Sequence, residues 1–135
     1  MQDLKKRTKQ FAIDCWMFCK QVPRSRELDA WVRQLIRSSS SVGANYRASQ
    51  RAKSTADFIN KLKIVEEEID ESAYWLELFL EVNSERKEEI DKLLSEAKEL
   101  LAIIVASIKT SRECKEMKNT INTLYFVLLT LYLSL

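Results

Sequence analysis

Histidine is absent from this 135-residue chain, and glycine and proline occur once each. The lack of histidine removes the usual general base, any Ser-His-Asp triad and the Glu-x-x-His ligands of di-iron bundles. A single glycine excludes a glycine-rich phosphate loop. With one glycine and one proline, β-hairpins and tight turns have almost no raw material. Neither enzyme activity nor a cofactor is expected. The three cysteines, Cys15, Cys19 and Cys114, are an odd number and give no disulfide framework. The first residues are charged (Asp3, Lys5, Lys6, Arg7) with no apolar stretch after them, unlike a signal peptide. Reduced thiols and a cytoplasmic setting are expected, with Cys15 as a small core residue.

The remaining composition suits long solvated helices: 46% hydrophobic and 31% charged. The length fits one domain. Net charge is only +2, yet residues 1–63 hold 14 Lys and Arg against 5 Asp and Glu, whereas residues 64–135 hold 8 against 15. Such asymmetry fits oppositely charged helices that complement one another, and equally a basic face for nucleic acid beside an acidic face for self-association.

Apolar spacing predicts four helices. In the first, Leu4, Thr8, Phe11, Cys15, Phe18 and Val22 recur in steps of four and three until Pro23 ends it. The second, from about Ser25 to Arg51, carries Leu28, Trp31, Leu35, Ser38 and Val42, continued by Tyr46 and Ser49. The third starts at Ser54, where Ser54-x-x-Asp57 matches a capping pattern, and follows Phe58, Leu62, Val65, Ile69, Ala73, Leu76 and Leu80. Asn83-Ser84 is read as the break and cap before a fourth helix with Ile90, Leu94, Ala97, Leu101, Ile104 and Ile108. Short connections predict an all-α, antiparallel, up-down-up-down four-helix bundle. A second apolar set (Trp75, Leu78 and Val82, with Leu93, Leu100 and Ile103) is the candidate oligomer interface, because large exposed apolar patches are rare on monomers.

The second helix holds the strongest functional signal. Its middle, Ser38-Ser39-Ser40-Ser41-Val42-Gly43-Ala44, is small-sided and invites close packing, and Gly43 costs a helix about 1 kcal/mol against alanine. Arg33, Arg37, Arg47 and Arg51 share one stripe with Ser40 and Ala44 between them. With Lys53 they are the candidate nucleic-acid-binding residues, since guanidinium groups match phosphate oxygens bidentately. Nothing resembles a base-reading motif, so backbone and shape would be read. The alternative is a protein-only oligomeric scaffold in which the arginines pair between subunits with the acidic run Glu66–Glu71. That run (Glu66, Glu67, Glu68, Asp70, Glu71) has no metal-cage spacing and reads as a solvated face.

Arg7-Thr8 with Phe11-Ala12, Gln34-Leu35-Ile36-Arg37-Ser38-Ser39-Ser40-Ser41-Val42-Gly43-Ala44-Asn45-Tyr46, and Phe58, Leu62, Val65-Glu66-Glu67-Glu68, Glu71-Ser72 and Trp75-Leu76 together resemble the bacterial 23S rRNA-intervening sequence protein family. The resemblance covers roughly residues 3–113. It implies a four-helix bundle assembled into a ring-shaped homopentamer. It also implies kinship with the accessory variability protein of diversity-generating retroelements, a basic pentamer that binds nucleic acid and a reverse transcriptase. The expected partners are therefore the chain itself, nucleic acid (structured RNA or RNA/DNA), and a reverse transcriptase or other protein.

Residues 1–118 are read as the bundle domain and 119–135 as an uncharged apolar tail outside the family pattern. The strongly apolar part of that tail falls short of the ~20 residues a spanning helix needs, so a membrane partner is not expected. Three readings of the tail stay open: docking on the bundle or a neighbour, insertion at a membrane surface, and an extension with no selected role.

Overall fold

The computed structural model describes residues 3–134, the side chain of Ser84 excepted. Among the described residues there are four α-helices, α1 (Leu4–Lys20), α2 (Arg26–Ser49), α3 (Thr55–Val82) and α4 (Lys87–Leu133), and no strand. Local chemistry sets the starts of the first three. Asp3 caps α1 by accepting from Lys6 N (3.2 Å) and Ser25 caps α2 through Leu28 N (3.1 Å). Ser54 accepts from Asp57 N (3.1 Å) while the Asp57 carboxylate accepts from Lys53 N (3.0 Å), a reciprocal cap at the expected position. The fourth start differs from expectation. Asn83 ends α3, a short 3-10 turn spans Ser84–Arg86, and Arg86 precedes α4 without a side-chain cap. The acidic first turn of α4 is Glu88 and Glu89, which suits the helix dipole.

α2 packs along α3, α3 along α4, and α1 along α2 and, less extensively, α4. Small residues govern the closest approaches. Ser38 of α2 meets Ser72 of α3, whose Oγ lies 2.9 Å from Ser38 Oγ and 2.7 Å from Glu68 O. A Cβ on Gly43 would lie 3.4 Å from Thr8 O and 3.6 Å from Lys9 N, so α2 rests directly on the α1 backbone there. Further along, Phe79 of α3 takes Phe18 (5.3 Å) and Trp31 (5.7 Å) edge-on, joining three helices in one aromatic cluster. Arg86 ties the start of α4 to the end of α1: it donates to Phe18 O (3.2 Å), stacks over the Phe18 ring at 4.3 Å and pairs with Glu89. At the other end Arg7 forks onto Glu96 (2.9 and 2.8 Å) and reaches Glu99 (2.8 Å).

The predicted seams form the core, with Phe11, Cys15, Phe18, Leu35, Val42, Leu62, Val65, Ile69, Leu76, Ile90, Ala97 and Ile104 all buried. Ile59 and Phe79 join them although they lie beside the expected α3 seam. Cys15 and Cys19 are buried and Cys114 is exposed.

Two expected interface residues need correction. Leu100 is fully buried and Leu93 nearly so, both inside this chain's own core. The cause is geometric: α4 touches both α3 and α1, so its buried arc is wider than one heptad seam.

The last buried residue of α4 is Ile108, yet the helix continues unbroken to Leu133. Every described residue from 112 to 134 is exposed, so the segment read as a tail is a helix that extends past the bundle and does not fold back on it. No helix among the described residues is long and apolar enough to cross a membrane.

Candidate nucleic-acid interface

All five expected basic residues are exposed: Arg33, Arg37 and Arg47 lie on α2, and Arg51 and Lys53 in the turn after it. They do not form one continuous basic face. Arg37, at the middle, is committed to α3. It pairs with Glu71 and, at 3.4 Å, with Glu68, and it also donates to Gln34. Glu71 accepts from Trp75 Nε1 as well (3.1 Å). Its pairing with Glu71 strengthens the charged form of Arg37, and the Arg37 hydrogen bond holds the Glu71 carboxyl below its ordinary range. The acidic run thus does partner an arginine, and it does so within one chain. Glu66 is likewise taken, by Lys63 at 2.7 Å.

Arg33 stands apart from the others near the start of α2. It lines a depression of about 300 Å³ with Lys20, Arg24 and Asp29, so its surroundings are of mixed charge.

The remaining pair is different. Arg47 and Arg51, one turn apart, line a pocket of about 290 Å³ together with Lys5 from α1, Ala44, Ala48 and Gln50. No carboxylate lines it. Among the described residues neither Arg47, Arg51 nor Lys5 is in an ion pair. The small Ala44 and Ala48 side chains keep the floor open, and the contact of Gly43 with Thr8 brings the start of α1 alongside the end of α2. Three cations, from α1, from α2 and from the turn after it, then line a space of the size a phosphate group or two would fill. Lys53 lies just beyond, on the turn into α3, where its backbone N–H is held by Asp57.

Lys5 escapes a reading of the α2 stripe because it comes from another helix. The only signal for it was Gly43, which marked α2 as the site of a close approach without naming what approaches. Also outside the reading of the seams is an outer apolar stripe on α1, Ile13, Trp16 and Met17, which is 42–48% exposed and lies opposite the α1 seam. Of the expected interface residues, Val82 is exposed and Trp75, Leu78 and Ile103 are half-buried.

The buried thiols have no place in this chemistry. Burial pushes Cys15 far above the ordinary thiol range and Cys19 up to about 12. Among the described residues no group of cysteines and carboxylates is placed to hold a metal ion.

Comparison with known proteins adds a family. The sequence model described as 23S rRNA-intervening sequence protein matches residues 2–106. A solved structure of a protein of unknown function from the S23 ribosomal protein family of Bacteroides thetaiotaomicron VPI-5482 is 31% identical, with a TM-score of 0.74. That likeness covers 79% of this chain and 99% of that one. No curated protein matches the sequence.

Proposed function

This chain belongs to the 23S rRNA-intervening sequence protein family, and from that premise we propose that it is a non-enzymatic, self-associating bundle that binds the phosphate backbone of structured RNA or RNA/DNA through Lys5, Arg47 and Arg51. The observation that carries the reading is the unpaired cation pocket between α1 and α2. Salt-bridged Arg37 is left out of the binding surface, and Arg33 and Lys53 flank it. Phosphate contacts of this kind position a nucleic acid without reading its sequence.

We further propose an up-down-up-down path. Trp31 meets Phe79 while Ser38 meets Ser72, and Phe18 meets Arg86 while Arg7 meets Glu96, so paired helices run in opposite senses. Self-association follows from apolar patches of two kinds: Ile13, Trp16 and Met17 on α1, and Trp75, Leu78 and Val82 on α3, with Ile103 of α4. Two different patches favour a head-to-tail contact, which makes a ring where its rotation closes. A homopentamer is the ring we propose, in the cytoplasm, as accessory to an RNA-dependent enzyme such as a reverse transcriptase. Each copy would add one basic pocket, and repetition raises avidity without new contacts.

A protein-only scaffold is the second reading, and Arg37 favours it, since its charge is consumed by Glu68 and Glu71. Purification without nuclease separates the two. Nucleic acid should accompany the parent chain and be lost from Arg47→Glu/Arg51→Glu at unchanged helicity. Parent protein free of nucleic acid would favour the scaffold.

A further inference from the structure

The helical extension of α4 has no role in the bundle, and its chemistry is unlike that of the other helices. From Leu124 to Leu129 the sequence is Leu-Tyr-Phe-Val-Leu-Leu, and each of these side chains is 43–70% exposed. Successive residues in a helix are turned by about 100°, so six in a row cover every side of the cylinder. A helix that docks on one neighbour needs a single apolar stripe. One that is apolar all round needs an apolar medium on all sides.

The threonine and serine hydroxyls of the segment are arranged for such a medium. Thr120 donates to Glu116 O (3.0 Å), Thr123 to Asn119 O (2.9 Å), Thr130 to Val127 O (2.8 Å) and Ser134 to Leu131 O (2.8 Å). Each of these hydroxyls is satisfied by its own helix and needs no water, which is the condition for polar groups in hydrocarbon. Tyr125, about 10 Å along the helix from Lys118, adds an amphipathic ring that favours a membrane interface.

Charge identifies the kind of surface. The stretch just before the apolar segment presents exposed Arg112, Lys115 and Lys118. Its carboxylates are Glu113, which Lys109 faces at 4.0 Å, and Glu116. Lys115 and Lys118 line a groove of about 790 Å³ at the root of the extension, against the α2–α3 turn that also carries Lys53. Arg112, Lys115 and Lys118, at steps of three, therefore form a cationic stripe along one side of the helix where it leaves the bundle. Ile121–Leu133 is about 20 Å long at ~1.5 Å per residue, long enough to enter the hydrocarbon of a bilayer.

We infer that the α4 extension inserts into an anionic lipid bilayer, with Arg112, Lys115 and Lys118 against the headgroup phosphates. Insertion is independent of the cation pocket on α1 and α2, whose residues lie outside the extension.

The test is flotation of the full chain with vesicles of phosphatidylcholine alone or mixed with phosphatidylglycerol. Recovery with the anionic vesicles should exceed that with neutral ones at least tenfold, as expected when a few cations lie near the surface. Leu124→Asp/Leu128→Asp should abolish flotation while melting temperature and RNA affinity stay unchanged, because nothing in the bundle packs on these residues. Lys115→Glu/Lys118→Glu should remove the preference for anionic vesicles. Failure of the parent chain to float with phosphatidylglycerol vesicles would overturn the inference, as would equal flotation of the double aspartate variant. A double aspartate variant that lowers oligomer mass in the absence of lipid would overturn it too, assigning the extension to a second copy.

Discussion

Gly43 gives the sharpest structural prediction, because its two nearest substitutions should have opposite signs. Glycine inside a helix costs about 1 kcal/mol against alanine, largely through unfolded-state entropy. Its φ is not positive, so the backbone itself does not demand glycine. An alanine Cβ would lie 3.4, 3.5 and 3.6 Å from Thr8 O, Thr8 C and Lys9 N, which is ordinary van der Waals contact. Gly43→Ala should therefore stabilise the chain by about 0.5–1 kcal/mol and raise its melting temperature by roughly 2–5 °C. Valine places carbon about 1.5 Å further out. Some of it must press on the α1 backbone, which cannot rotate away as a side chain does. Gly43→Val should cost about 1–3 kcal/mol and move α1, with Lys5, away from Arg47. Urea unfolding of the parent and both variants, followed by circular dichroism, reads the two effects. Destabilisation by alanine would refute an ordinary 3.4–3.6 Å contact at Gly43, and equal stability of valine and alanine would refute the close approach of α1 and α2.

Two further predictions concern the core and the outer faces. In the native protein a thiol reagent near neutral pH should label Cys114 alone, with Cys15 and Cys19 reacting only on unfolding. Because burial raises Cys19 from 9.0 to about 12, its contribution to stability is complete below pH ~9 and is lost as pH rises toward 12, so alkaline titration should lower the melting temperature across that window. Trp16→Glu/Met17→Glu should leave helicity intact and lower oligomer mass by ultracentrifugation, whereas Leu100→Glu should unfold the chain, because its charge would be buried without a partner.

The helices and their register were legible in the sequence because heptad-like spacing and hydroxyl caps are local signals. Ser54-x-x-Asp57 and the Thr8–Phe11–Cys15–Phe18 run are read correctly from neighbours in the chain. Amphipathicity was less informative about width. Leu93 and Leu100 looked like a surplus arc, yet a helix with two neighbours buries two adjacent stripes, and nothing local says whether the second neighbour is the same chain. The basic stripe was legible as a set and not as a site. Arg37 is neutralised by Glu68 and Glu71, 31 and 34 residues away, and the pocket gains Lys5 from α1; both depend on tertiary contacts. Helical continuity from α4 through Leu133 was hidden by the change in composition at residue 119, which is not an end of the helix.

Binding through the cation pocket is tested most directly by the salt dependence of RNA affinity. The full chain and its Arg47→Glu/Arg51→Glu variant would be titrated against a structured RNA and an unrelated duplex of equal length. Each phosphate contact releases counterions, so removing two should reduce the slope of log affinity against log salt by about two. The parent should bind both RNAs with similar affinity and a steep slope, and the variant should bind both more weakly with a shallower one. An unchanged slope and affinity in the variant, or no salt-dependent binding by the parent, would contradict a nucleic-acid role for Lys5, Arg47 and Arg51.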